Sequence, residues 1–187
     1  TEADAARIAA HPLMIAIAQA GDVVALDRGV YDEAVQLRAA VTLWGACVAE
    51  TVIASSSFSE TAGTINVSAP GAAIRNLQVG GMRPGIWMVF VAASLDIEDV
   101  LIAGTEMGAV LLAGDGISLT ARNLVVRDTG GSTRGQGLHL EWGARADVSR
   151  AVIERNHDIG VYAGGAGTQL TLADVAVRDT ASQPSDR

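Results

Sequence analysis

From residue 73 onward the chain alternates short apolar runs with polar punctuation on a regular step. Five segments superimpose: Ala73-Ile74-Arg75-Asn76-Leu77-Gln78-Val79, Asp96-Ile97-Glu98-Asp99-Val100-Leu101-Ile102, Thr120-Ala121-Arg122-Asn123-Leu124-Val125-Val126, Asp147-Val148-Ser149-Arg150-Ala151-Val152-Ile153 and Thr171-Leu172-Ala173-Asp174-Val175-Ala176-Val177. After its first residue each reads apolar, any, Asn or Asp (once Arg), apolar, any, β-branched. The leading apolar positions Ile74, Ile97, Ala121, Val148 and Leu172 lie 23, 24, 27 and 24 residues apart. A second marker keeps the same step, a glycine opening a short alternating strand: Gly85-Ile86-Trp87-Met88, Gly108-Ala109-Val110-Leu111, Gly137-Leu138-His139-Leu140 and Gly160-Val161-Tyr162-Ala163. From each glycine to the next anchor is 12, 13, 11 and 12 residues, so two independent markers hold phase.

Apolar-alternating runs this short, broken by Gly, Asn and Asp, are too brief for helices and fit strands joined by tight turns. A period of about 24 residues accommodates three such strands, each pairing in parallel with its counterpart one coil away. The expected fold is all-β, a right-handed single-stranded parallel β-helix of about six coils with three strands per coil. Neighbouring strands lie about 4.8 Å apart, so each coil position becomes a column of like residues. Asn76, Asp99, Asn123 and Asp174 are predicted to share one corner, where short polar side chains tolerate left-handed backbone and bond their own main chain. Thr105, Thr129, Asn156 and Thr180 are predicted to form a second column.

The chain before these coils reads differently. Ile8, Leu13, Ile15, Ala16 and Ile17 fall in a helix-compatible stretch over 5–20 that stops at Gly21. A helix over 1–20 is therefore expected to cap the first coil's open edge, and 21–187 to form the β-helix. The last residues, Thr180 to Arg187, show no cap, so the solenoid is expected to be incomplete at that end.

Composition narrows the picture. Hydrophobic residues make up 49% of 187, ample for a core, while 21 glycines and only 4% aromatics suit an aliphatic, turn-rich solenoid. Thirteen basic residues, all arginine, against 21 acidic ones give a net charge of -8 with no basic run, which excludes nucleic acid as an expected partner. No apolar run is long enough to span a bilayer, so no membrane insertion is expected, and no basic flank marks a signal peptide at the start. Cys47 is the single cysteine, so no internal disulfide can form, and it reads as a buried thiol.

Between the cap and the repeats come Gly21-Asp22-Val23-Val24-Ala25-Leu26, Gly29-Val30-Tyr31 and Val41-Thr42-Leu43-Trp44-Gly45. This order resembles the entry coil of bacterial right-handed β-helix proteins in the pectin lyase-like superfamily, and the resemblance extends over residues 5 to 180. It implies the fold. It implies no one activity, since that superfamily includes lyases, hydrolases, esterases, epimerases, adhesins and members without known chemistry. By the same resemblance the Gly-led strands line the groove where the superfamily's enzymes bind polysaccharide; the uncapped final coil is what suggests a piece of an exported protein, and a secreted, periplasmic or cell-surface location is expected.

Alternation along those strands sends Ile86, Met88, Ala109, Leu111, Leu138, Leu140 and Val161 inward, and Trp87, Val110, His139 and Tyr162 outward. With Glu141 and Trp142 beyond them, Trp87, His139 and Tyr162 form a candidate ligand platform, because aromatic faces pack on the apolar faces of sugars. The coil before His139 carries an insertion, Gly130 to Gln136, near Arg127, Asp128, His157 and Asp158. A lyase needs a base and a cation or charged group to stabilise the carbanion beside a uronate carboxylate. His139, Arg127, Arg134 and Asp128 are the candidates for those parts, and Asp128 with Asp158 the candidate calcium pair, thin for an ion that takes six to eight oxygens. The superfamily hydrolases' paired aspartates and Arg-x-Lys motif are absent: there is no Asp-Asp and no lysine. His11, His139 and His157 are too scattered for a zinc site. No cofactor other than calcium is indicated. The expected function is a non-catalytic module that presents a repetitive face to polysaccharide or an envelope protein; the alternative is a polysaccharide lyase-like enzyme acting on acidic glycans.

Overall fold

The structure, a computed structural model, describes residue 15 and residues 17–182. The first coil holds β1 (Val23–Leu26), β2 (Gly29–Tyr31) and β3 (Val35–Leu37), and the second β4 (Thr42–Gly45), β5 (Thr51–Ser55) and β6 (Ile65–Val67). Separate strands then give way to longer ones that run through the corners: β7 (Ala72–Gly81) and β8 (Ile86–Val89), then β9 (Ala93–Ala113), β10 (Ile117–Arg127), β11 (Gly130–Glu141), β12 (Arg145–Glu154), β13 (Val161–Gly164) and β14 (Gln169–Arg178). All pairing is parallel and coil to coil, giving a β-solenoid of about six turns.

The first face stacks β1, β4, β7, β9, β10, β12 and β14. Its register superposes Ile74, Ile97, Ala121, Val148 and Leu172, the five predicted anchors. A second face continues round the corner along the later halves of the same strands, with β2 and β5 at its start. The third face stacks β3, β6, β8, the end of β9, β11 and β13.

Single left-handed residues make the corners. Asn76, Asp99, Asn123, Arg150 and Asp174 all have φ between 52° and 55°, a conformation Asn and Asp tolerate best. Where these side chains bond, they bond the neighbouring coil and not their own main chain: Asn76 Nδ2 donates to the Gly45 carbonyl at 2.9 Å, and Asn123 Nδ2 to Asp99 Oδ1 at 2.8 Å. Because one residue turns the chain, pairing resumes at once on either side, so β7, β9, β10, β12 and β14 pass the corner unbroken. In the second predicted column Thr105, Thr129 and Asn156 are buried, and Thr129 N–H donates to Asn156 Oδ1 at 3.4 Å. Thr180, in the last coil, is exposed.

Aliphatics fill the interior, including Ile74, Ile97, Ile102, Leu112, Val126, Leu138 and Ile153, all essentially inaccessible to solvent. Each such side chain contributes about 1.5–3 kcal/mol by leaving water. Ile15 and Ala18 pack against this core at its first coil, while most of the expected capping helix lies outside the described residues. At the other end the inward positions of β14 lie open, with Leu172 and Val177 42% and 46% exposed where their neighbours Val148 and Ile153 are buried. Cys47 is half-buried rather than fully enclosed.

Candidate functional site

One coil breaks the predicted alternation. Val110 pairs with Ile86 and Leu138 and is buried, whereas Leu111 pairs with Trp87 and His139 and faces out. Met107 (φ 66°) and Gly108 (φ 153°) accommodate one extra residue, and Gly108 aligns with Gln136 instead of with the strand-opening glycines. A one-residue slip exchanges the two faces of a strand. The outward column of the third face is therefore Gln36, Asn66, Trp87, Leu111, His139 and Tyr162.

Four of the five predicted platform residues share this face or its end. The His139 and Tyr162 rings lie 4.8 Å apart, tilted by 32°. Tyr162 lies along its strand over Gly164, where any side chain would collide with the phenol. His139 is nearly buried and held at both nitrogens: Nδ1 bonds Gln136 Oε1, and Nε2 sits 3.2 Å from Glu141 Oε1. Gln136 in turn donates from Nε2 to Asp158 Oδ2 at 3.4 Å, which orients its amide with the oxygen toward the imidazole. In that orientation Nδ1 is the donor to Gln136, and Nε2 faces the Glu141 carboxylate. Trp87 stands two coils before His139, half-buried, with Leu111 between them.

Trp142 lies past the end of this face, in a third left-handed column that the sequence reading missed: Phe90 (φ 54°), Gly114 (φ 126°), Trp142 (φ 54°) and Gly165 (φ 86°). Phe90 and Trp142 are two coils apart, yet Gly114 between them has no side chain and their rings stack at 5.2 Å and 13°. Both stay open to solvent, at 70% and 52%. A signal was available, since Phe90 and Trp142 each follow a strand-opening glycine by five residues.

Arg127 and Asp128 belong to a different construction, at the corner between the second and third faces. Arg155 grips Asp128 with two hydrogen bonds, Nε to Oδ1 at 2.7 Å and Nη2 to Oδ2 at 3.0 Å, and also bonds Glu154. Arg178 binds Glu154 from the next coil, and Arg127 approaches Asp128 at 3.6 Å. Register explains it: Arg127, Glu154 and Arg178 form one outward column, and Asp128, Arg155 and Asp179 the next, so charge alternates along both. The Arg155 hydrogen bonds hold Asp128 below the usual carboxylate range, Arg178 and then Arg155 do the same for Glu154, and Arg155 is raised by its two carboxylates. Asp128 is thus held through both oxygens by a guanidinium, and Asp158 takes one long hydrogen bond from Gln136. Among the described residues no group of three or more His, Cys, Asp and Glu is placed to hold a metal ion. The Arg134 side chain and His11 lie outside what the structure describes, and His157 bonds the Thr129 carbonyl through Nδ1 at 2.8 Å. No helix among the described residues is long and apolar enough to cross a membrane.

No known family profile and no curated protein matches the chain by sequence. Among solved structures, a pectin methylesterase variant in complex with a hexasaccharide superposes with a TM-score of 0.52 at 11% identity, covering 100% of this chain and 92% of that one. A second pectin methylesterase complex with a hexasaccharide gives a TM-score of 0.45 at 11% identity, with the same coverage. The first of these likenesses shows the fold alone, a right-handed parallel β-helix, which is the fold the sequence resemblance implied.

Proposed function

We propose that the chain is a non-catalytic, glycan-binding β-helix module of an exported or cell-envelope protein, whose third face seats a saccharide against Tyr162 and His139. The observation that carries this reading is the His139–Tyr162 ring pair, tied down by Gln136, Glu141 and Gly164 and flanked by Trp87. A preordered aromatic surface edged by polar groups suits a ring with one apolar face and peripheral hydroxyls. A general base needs a free lone pair within reach of the proton it takes. Both His139 nitrogens are engaged, and Arg127 and Asp128 are committed to the charge ladder, so the arrangement favours holding a glycan over cleaving it.

A glycan array probed with and without calcium tests this reading, followed by titration of the best hit. Loss of two aromatic contact surfaces is expected to weaken binding about ten-fold or more in a Trp87→Ala, Tyr162→Ala double variant. Unchanged affinity in that variant excludes this face. Accumulation of an unsaturated uronate from any acidic glycan, seen as rising ultraviolet absorbance, reverses the reading in favour of a lyase.

A further inference from the structure

We infer that the turn following the third face holds a second saccharide subsite, selective for a neutral pyranose, built from the Phe90–Trp142 stack together with Asp115, Ser118 and Arg145. A half-open cleft of about 360 Å³ is lined there by Asp115, Gly116, Ile117, Ser118, Gly143 and Arg145. That volume lies in the range of small-molecule sites, roughly 300–1,000 Å³. Trp142 precedes the lining residue Gly143 directly, so the backbone of the exposed aromatic pair adjoins the cleft, although neither ring is part of its lining.

The turn's sequence makes the cleft. In successive coils it reads Gly114-Asp115-Gly116, Trp142-Gly143 and Gly165-Ala166-Gly167, so almost nothing projects to fill it. Gly143 (φ 90°) has a specific part: any side chain there would strike the Asp115 carboxylate, which lies across it on the way to Gly167. The Gly143 N–H is directed to Thr168 Oγ1 at 3.1 Å, and that hydroxyl donates to the Gly164 carbonyl at 2.7 Å, which ties the upper coil's turn to the lower.

The charged groups bordering the cleft are not paired with one another. Arg28, Arg75, Arg122, Arg127, Arg155 and Arg178 all have carboxylate partners. Asp115, Ser118 and Arg145 border one opening, exposed, and none of the three makes a side-chain hydrogen bond or ion pair to another described residue. A carboxylate accepts from a hydroxyl while a guanidinium donates to one, so the pair held apart matches the adjacent hydroxyls of a sugar ring. The adjoining indole supplies a surface for that ring's apolar face. Opposite charges leave the cleft without the net positive charge that a uronate would need, which selects a neutral sugar.

This subsite is separate from the one proposed on the third face, and backbone and indole NMR signals tell them apart. Methyl glycosides of glucose, galactose and mannose serve as probes, with methyl galacturonate's free acid as the charged control. The Trp142 indole N–H and the Gly116, Gly143 and Gly167 amides are expected to shift saturably with at least one neutral glycoside, in the native chain and equally in Tyr162→Ala. Asp115→Asn, at an exposed position, is expected to weaken that response about ten-fold through loss of a charge-assisted hydrogen bond. Trp142→Ala, with the remaining glycine amides as reporters, is expected to abolish it. Shifts confined to His139, Tyr162 and Gly164 overturn the second subsite and leave the first intact. Stronger binding of the galacturonic acid than of every neutral probe also overturns it, as does an unchanged response in Asp115→Asn. No shift anywhere overturns both.

Discussion

Residues at the corners work by the company they keep one coil away. Asp128 and Glu154 are both held below the ordinary carboxylate range by guanidinium hydrogen bonds. A carboxylate whose folded pKa lies below its unfolded value of about 4 stabilises the fold above that value and loses its contribution as pH falls through the folded one. Denaturant unfolding is therefore expected to show stability steady from neutral pH down to the carboxylate range and falling below it. Arg155→Met removes the donor to both groups, so its acid-side slope should be visibly shallower than the native protein's. An identical slope in both chains would show that the ladder contributes nothing across its rungs.

At the scale of elements, columns that look equivalent in the repeat are unequal in energy, because the coils around them differ. Ile97 is enclosed by β7 and β10 and fully buried, whereas Leu172 occupies the same column in β14 with one side open. Ile97→Ala is expected to cost about 2–5 kcal/mol, since transfer and cavity terms both apply. Leu172→Ala should cost well under half of that, because little cavity forms at an exposed rim. Urea midpoints at constant slope decide the comparison, and equal losses would mean that β14 is covered in solution. The extra residue at Met107–Gly108 has the same lesson for register. It moved Leu111 outward and Val110 inward, which no count of alternating positions from Gly108 could have foreseen.

Across the whole molecule, parallel pairing passes from each coil only to its neighbours, so stability is distributed along one axis. Amide hydrogen exchange should then be slowest in β9 and β10, bordered by packed coils on both sides, and fastest in β14, whose inward residues are exposed. Uniform protection from β7 to β14 would instead indicate one cooperative unit without fraying. The saccharide surfaces proposed here sit on β8, β9, β11 and β13 and on the turns after them, within or next to the well-packed coils. A rigid platform of this kind limits the ordering cost of binding.

How much was legible beforehand follows the same division. The rung period, the anchors Ile74 to Leu172, the Asn76 corner and the outward placement of Trp87, His139 and Tyr162 were all readable. Each depends on local backbone preference or on period-two alternation, and both are written along the chain. What remained hidden depends on summing coils. Arg155 neutralises Asp128 only because 27 residues separate them in a coil of that length. Phe90 meets Trp142 only across a glycine one coil from each, and Asp115 and Arg145 border one cleft only because the intervening turns are glycine. By itself, then, the sequence determined the solenoid and its columns, since strand and corner propensities act within a few residues. Tertiary structure alone decided which charges cancel, which aromatics meet and where a cleft stays open, since those outcomes are set by stacking distance between residues far apart in the chain.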